Sequence, residues 1–437
     1  MKDMFPRSLC YAGTRRILSS AARVRGANRT TLSRFVHATR SPGSVASLRT
    51  LTPGLVITAA SIVAGTGLYY VSDFMMHSHP ILNDSSSIDN LEAFPEGLKD
   101  NHPLRKFDSV YELVPGLRKD MPMKEKMETL LKFYQKEIVA AIEHADSSSQ
   151  KFITDEWSRG EGLGGGITRV FQDGRVFEKG GVNFSAIYGT LPPAAVQRMK
   201  ANHKDIQIPE SSKLPFYACG LSLVIHPRHY LAPSVHMNYR YFETRNDDGT
   251  PQAWWFGGGQ DLSPMYYNEA DAVHFHALLK DVCDHHDPTY YQRFKKWADD
   301  YFLIKYRGEA RGIGGIFFDD LNEKEAEQHF LFVADALSRF LPSYLPAVRR
   351  AYEMSDEPRP TPEEGKHWQG LRRGRYVEFN LAVDRGTSFG LQTPGSRVES
   401  ILMTLPKNAS WEYNYHPTPG SLEAKTVEVL KNPKDYV

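Results

Sequence analysis

The sequence predicts an α+β fold, one large and mostly antiparallel sheet with helices packed on it. Three observations lead there. Strand-like segments arrive in groups rather than in strict alternation with helices. Two of them flank a tight-turn signal. The helical stretches between the groups include two with a clear apolar stripe. A chain of 437 residues, 41% hydrophobic and 24% charged, has globular composition and the length of one large domain or two ordinary ones.

The elements follow in order. Residues 1–50 are rich in Arg, Ser and Thr with spaced apolar residues such as Ile17, Leu18, Val24 and Phe35, the composition of a mitochondrial transit peptide, with a disordered basic tail as the alternative. Residues 51–72 carry no charge until Asp73, and Leu55 to Val71 has the length of one membrane-spanning helix of marginal hydrophobicity. A basic leader before such a stretch fits a two-part sorting signal that delivers the body to the intermembrane space, or a retained single-span anchor. Residues 73–100, with Ser85-Ser86-Ser87 and several Pro and Gly, read as a linker, and 101–437 as the main domain.

That domain opens with a helix from about Met123 to Ala145, where Met127, Leu130, Leu131, Tyr134, Ile138 and Ile142 recur at helical spacing. Ile167–Phe171 and Arg175–Phe177 flank Gln172-Asp173-Gly174 as a hairpin, and Val182–Tyr188 continues the sheet. Further strands are expected at Phe216–Ile225, His236–Glu243, Ala253–Phe256, Gly315–Phe318, Tyr376–Val383 and Val398–Thr404. Helices are expected at Glu269–Cys283, Tyr290–Ile304 and Glu323–Leu341, the last with Ala326, Phe330, Val333, Leu337 and Leu341 on one stripe.

Charge and cysteine usage exclude whole classes of function. Of 53 basic and 52 acidic side chains, ten basic and one acidic fall in residues 1–54, so the remainder carries 43 against 51 and a net charge of −8. That body offers no broad basic surface for nucleic acid, and an anionic ligand must be held by a local group of arginines. Cys10, Cys219 and Cys283 are too few and too scattered for a disulfide framework, a zinc knuckle or an iron–sulfur motif.

The glycine runs are not nucleotide loops. Gly160 to Gly166 lacks the Gly-Lys-Ser/Thr ending and precedes a strand, so it reads as a turn or a close backbone approach, and Arg311-Gly312-Ile313-Gly314-Gly315 has the wrong spacing for a dinucleotide fingerprint. His274 and His276 sit two apart on a helix and diverge, while His285 and His286 suit that helix's C-terminal dipole, so no metal site is expected.

Strand alternation is more informative. His236, Asn238 and Arg240 share one face of their strand, and Tyr376, Glu378, Asn380, Ala382 and Asp384 would share a face of theirs. A solvent-facing sheet surface would look the same. The neighbourhood favours a site: Asp384-Arg385, Asp261 after a triple glycine, and Arg372, Arg373, Arg375 and Arg397 within a short span. Arginine grips carboxylates bidentately and an ionised Asp accepts N–H groups, so the set suits a ligand with several carboxylates and several N–H donors.

The stretches SLVIHPRHYLAPSVHMNYRYFET, WWFGGGQDLSPMY, FKKWADDYF, RGEARGIGGIFFDDL, LRRGRYVEFNLAVDRGTSFGLQTPGSRVESILMTLP and WEY resemble oxygen-dependent coproporphyrinogen III oxidase, from about residue 100 to the C-terminus. The resemblance implies a homodimer with a flat antiparallel sheet between helical layers. Its reaction would convert coproporphyrinogen III and molecular oxygen to protoporphyrinogen IX, carbon dioxide and hydrogen peroxide, without metal or organic cofactor. By motif, His236 is the proton donor. Ser222, Asn238, Tyr239, Arg240, Gly395, Ser396 and Arg397 line the substrate site, Asp384 meets the pyrrole N–H groups, Arg385 meets a propionate, and Asp261 is a further candidate.

The cysteine content agrees, because a radical route to the same product needs clustered cysteines. Two other classes stay open: a non-catalytic porphyrin or haem carrier, which would take up no oxygen, and a metal-dependent hydrolase, which chelators would inhibit.

Overall fold

The computed structural model describes residues 95–437 apart from 101, 103, 105–106, 108–109, 192–195, 197–213, 247, 355–358 and 393–395. The leader, the apolar segment and nearly all of the linker therefore lie outside the described residues. No described helix is long and apolar enough to cross a membrane.

Seven antiparallel strands form the main sheet: β1 (Ile153–Ser158), β2 (Gly164–Gln172), β3 (Phe177–Leu191), β4 (Leu214–Pro227), β5 (Ser234–Arg245), β6 (Pro251–Ser263) and β9 (Gly315–Leu321). Their spatial order is β1-β2-β3-β4-β5-β6-β9. The expected hairpin is present, with Gln172 opposite Lys179 and Asp173 at φ 60° in its turn. The two segments expected after the turn, Arg175–Phe177 and Val182–Tyr188, join in one strand, β3, which starts at Phe177. The glycine run at 160–166 is a turn leading into β2, where a Cβ on Gly165 would lie 2.1 Å from the Trp157 carbonyl oxygen. A two-stranded hairpin, β7 (Leu303–Ile304) and β8 (Glu309–Ala310), stands apart from the sheet.

One face of the sheet carries the apolar core. Val182 and Phe184 of β3, Leu221 and Leu223 of β4 and Met237, Tyr239 and Tyr241 of β5 are buried in one cluster with four helices: α1 (Met123–Asp146), α2 (Glu269–His286), α4 (Ala326–Ser338) and α5 (Phe340–Glu353). The α1 stripe is as expected, and Gln135 within it donates to the carbonyls of Ile167 and Val182. α3 (Tyr290–Tyr301) runs beside the edge strand β9, so that Phe294 packs on Phe318 while Tyr301 stacks on Phe317. It ends at Tyr301, short of the expected Ile304, because β7 begins at Leu303.

The opposite face is covered by segments near the C-terminus: α6 (Pro362–Glu378), a π turn (Phe379–Val383), α7 (Arg385–Gln392) and α8 (Val398–Leu402); α9 (Leu422–Lys431) follows and buries Leu430 in the first cluster. This corrects two expected strands, since Tyr376–Val383 and Val398–Thr404 are both helical. In the first, Tyr376, Phe379 and Asn380 are the buried positions, and they continue at helical spacing the buried stripe of Trp368, Gln369 and Arg372 in α6. Arg372 sits within it, buried and ion-paired to Glu309 at 3.0 Å, which hides the stripe from a hydrophobicity reading. A capping box at Thr361 and Glu364 fixes where α6 starts.

Candidate active site

Alternation along the strands builds the floor of a cavity on the second face. Asn183, Ser222, Asn238 and Gly259 stand in register across β3 to β6, and all four line it. His236 and Arg240 flank Asn238 on the same face. α7, α8 and the π turn form the roof through Asn380, Asp384, Arg385, Ser396, Arg397 and Ser400, and Tyr301, Arg311, Phe317 and Asp319 close one side. The cavity has a volume of ≈ 500 Å³, within the range of small-molecule sites.

Few contacts pin the roof to the floor. Ser400 meets Thr168 at 2.7 Å and its carbonyl accepts from Asn183 at 2.7 Å. His226, fully buried, lies 2.9 Å from the Thr404 carbonyl oxygen, and burial pushes its imidazole down to about 3. Arg397 pairs with Asp155 of β1 at the rim.

Behind His236 lies a charged triad. His236 Nδ1 is 2.8 Å from Asp261 Oδ1, and the Arg311 guanidinium grips the same carboxylate with both Nη2 (2.7 Å) and Nε (2.9 Å). Asp261 is 1% exposed; burial alone would raise its carboxyl, but Arg311 and the His236 hydrogen bond outweigh it and hold the group below the usual carboxylate range. Arg311 also donates to Asn380 Oδ1 at 2.9 Å and lies 4.4 Å from the centre of the Phe302 ring. Asp261 thus anchors His236 from behind while His236 faces the cavity.

Asp384 has a double role in the geometry. Its Oδ2 accepts the Thr387 N–H at 2.6 Å, which caps α7, and its Oδ1 accepts the Tyr301 hydroxyl at 2.7 Å. Arg385 stands 5.1 Å from the centre of the Tyr301 ring. Arg240 pairs with Asp319 at 2.9 Å and donates to Asn238 Oδ1 at 3.0 Å.

The structure thus brings Ser222, His236, Asn238, Arg240, Asp384, Arg385, Ser396 and Arg397 to one cavity. Tyr239 differs: its side chain points to the core face and is buried near Phe318, as strand alternation between Asn238 and Arg240 requires. Gly395 lies outside the described residues. The common face expected for Tyr376 to Asp384 does not exist, because the segment is helical; only Asn380 and Asp384 of that set reach the cavity. Arg372, Arg373 and Arg375 do not line it either, being paired to Glu309, to Glu178, and to Glu309 and Glu378.

Arg311, Asp319, Tyr301 and Asn183 went unread in the sequence as site residues. Arg311 was in view inside RGIGG and Asp319 inside FFDDL, but neither segment has an internal pattern that reveals its partner.

The histidines of the helices behave as structural groups. His276 is buried between the Tyr291 hydroxyl and the Ile313 carbonyl, and His274 meets the Pro342 carbonyl. Among the described residues one metal-like group occurs, His285, His286 and Asp335, outside the cavity lining, with His286 and Asp335 hydrogen-bonded to each other at 2.7 Å.

Residues 126–436 match the sequence profile of the family described as coproporphyrinogen III oxidase. The chain belongs to that family. It is 55% identical over 315 residues to the oxygen-dependent coproporphyrinogen-III oxidase of Drosophila melanogaster, covering 72% of this chain and 78% of the relative. It is 52% identical over 320 residues to the mitochondrial enzyme of Homo sapiens (73% and 68%), and 48% identical over 318 residues to coproporphyrinogen-III oxidase 1, chloroplastic, of Arabidopsis thaliana (72% and 80%). The region common to the family is therefore the sheet with both of its helical layers.

Proposed function

We propose that this chain is an oxygen-dependent coproporphyrinogen III oxidase, which converts two propionates of its substrate to vinyl groups and yields protoporphyrinogen IX for haem synthesis. Family membership carries the reaction, and the cavity, rimmed by arginines with carboxylates inside, supports the substrate class. For each propionate, –CH2CH2COOH and O2 give –CH=CH2, CO2 and H2O2. Oxygen takes the two electrons, and in this reading the electron-rich macrocycle reacts with it directly, without a metal or organic cofactor.

Asp384 keeps a lone pair on each oxygen beyond those used by Tyr301 and Thr387, and these accept pyrrole N–H groups. Loss of one N–H proton toward Asp384 lets oxygen add to the ring as a peroxide. That peroxide removes a hydrogen from the propionate β-carbon, the carboxylate leaves as carbon dioxide, its electron pair completes the vinyl group, and hydrogen peroxide departs. His236, oriented by Asp261, supplies a proton. Arg240, Arg385 and Arg397 hold propionates, with Ser222, Asn238, Gly395 and Ser396 placing the ring.

The reading extends to a homodimer, as the family resemblance implies, and to a mitochondrial location, which the mitochondrial names of the mouse and human relatives support. Within mitochondria we place it in the intermembrane space, by the two-part leader, and associated with the inner membrane. N-terminal sequencing of the mitochondrial protein should find the Arg-rich leader removed; Met1 to Ser20 intact on cytosolic protein would refute this. The deciding experiment for function supplies coproporphyrinogen III and air to purified, metal-free protein. Protoporphyrinogen IX with one O2 consumed per CO2 supports the reaction, whereas binding without oxygen uptake would make the chain a carrier.

A further inference from the structure

Where β9 meets β6, the pairing jumps from Gly258 opposite Phe318 to Phe256 opposite Leu321. One extra residue is thus housed in β9, a β-bulge, and Asp320 takes it up at φ 53°, a left-handed conformation that aspartate tolerates better than most residues. Plain alternation from Phe317 already puts Asp319 on the cavity face, and the bulge at Asp320 brings Leu321, two residues on, back to the core.

Asp319 is 5% exposed. Its Oδ1 pairs with Arg240 Nη2 at 2.9 Å and accepts the Asp320 N–H at 3.2 Å, and Oδ2 has no hydrogen bond among the described residues. Gly257, opposite Arg240 in the sheet, makes the pairing feasible: a Cβ there would lie 2.7 Å from the guanidinium Nε. Burial would raise the Asp319 carboxyl, yet the cations around it, Arg240 foremost and Arg385 as well, keep the group below its ordinary value. A carboxylate fixed by a guanidinium through one oxygen, with no hydrogen bond to the other among the described residues, therefore faces the same cavity as Asp384.

A porphyrinogen presents four pyrrole N–H donors, and Asp384 has already committed one lone pair of each oxygen to the protein. We propose that Asp319 is a second acceptor for the pyrrole N–H groups, sharing the macrocycle with Asp384. The inference rests on the coproporphyrinogen reading and adds a residue to it. Arg240 then does two things at once, holding Asp319 ionised and lending its outer edge to a propionate.

The test uses two ligands with the same four propionates. Coproporphyrinogen III has four N–H groups, whereas its oxidised form, coproporphyrin III, has two N–H groups and two bare nitrogens. Asp319→Asn keeps the shape and can still accept from Arg240. It should lower kcat/KM for coproporphyrinogen by about thirty-fold or more, while the dissociation constant of coproporphyrin, read by fluorescence titration, moves by less than about threefold. Equal losses for both ligands would mean that Asp319 only holds Arg240 against a propionate, and no loss for either would remove it from the site; each result overturns the proposal. Asp319→Glu serves if the Asn variant folds poorly, and it should keep the preference for the porphyrinogen over the porphyrin. A Glu variant that has lost the preference also overturns the proposal. Failure of the parent protein to turn over coproporphyrinogen would strike the functional reading itself and is scored separately.

Discussion

Replacing Asp261 by Asn tests the charged triad behind His236. The change keeps the shape but removes the counter-ion of Arg311, whose two donors lie 2.7 and 2.9 Å from the carboxylate in a site where Asp261 is 1% exposed. Leaving a buried charge unpaired costs about 3–5 kcal/mol. The lower end applies here, because Arg311 keeps its bond to Asn380 and its contacts with the rings of Phe302, Tyr376 and Phe379. A loss of about 3 kcal/mol corresponds to a drop in melting temperature of roughly 4–5 °C for a domain of this size. His236 also loses its anionic partner, and turnover should fall by about a hundred-fold or more. The acid side carries a sign. Asp261 titrates lower in the folded than in the unfolded protein, so its stabilisation is full above the unfolded value of about 3.9 and is lost as pH falls through the folded value. The stability gap between parent and variant should therefore be constant from neutral pH down to about 5 and close in stronger acid. Thermal melts across pH and steady-state turnover read both effects. A variant that melts within about 2 °C of the parent at neutral pH and keeps its kcat would refute the triad.

Asp384→Asn preserves the α7 cap, since Asn caps as well as Asp, so melting should not move, while turnover should slow about thirty- to a thousand-fold through loss of roughly 2–4 kcal/mol of transition-state stabilisation. Turnover within a factor of two of the parent would return Asp384 to a purely structural role. Gly257→Ala places a methyl 2.7 Å from the Arg240 Nε and should push the guanidinium off Asp319, raising KM about tenfold at a folding cost of about 1–3 kcal/mol; an unchanged KM would show that the pose of Arg240 does not matter. Exhaustive dialysis against chelator should leave activity intact, because the sequence supplies neither a clustered cysteine set nor a ligand motif. Loss of turnover restored by a single metal would contradict the cofactor-free reaction.

The strands, the 172–174 turn and the common face of His236, Asn238 and Arg240 were legible because strand geometry is local: successive side chains alternate whatever the rest of the chain does. The α1 stripe was legible for the same reason at a period of 3.6. The stretch from Tyr376 to Asp384 misled because its polar and apolar residues alternate by coincidence, while a true helical stripe runs on from Trp368 through the ion-paired Arg372. Only tertiary structure could make that arginine an interior residue. The chemistry of the site was likewise present as residue types, and the motif resemblance named the ligand class from sequence alone. Its wiring was not: Arg311 meets Asp261 across 50 residues, Tyr301 meets Asp384 across 83, and Arg240 of β5 meets Asp319 of β9 in the space that the bare Gly257 leaves. Sequence determined which faces the strands and most helices would offer. Which buried charges meet depends on distant segments packing together, and no local period encodes that.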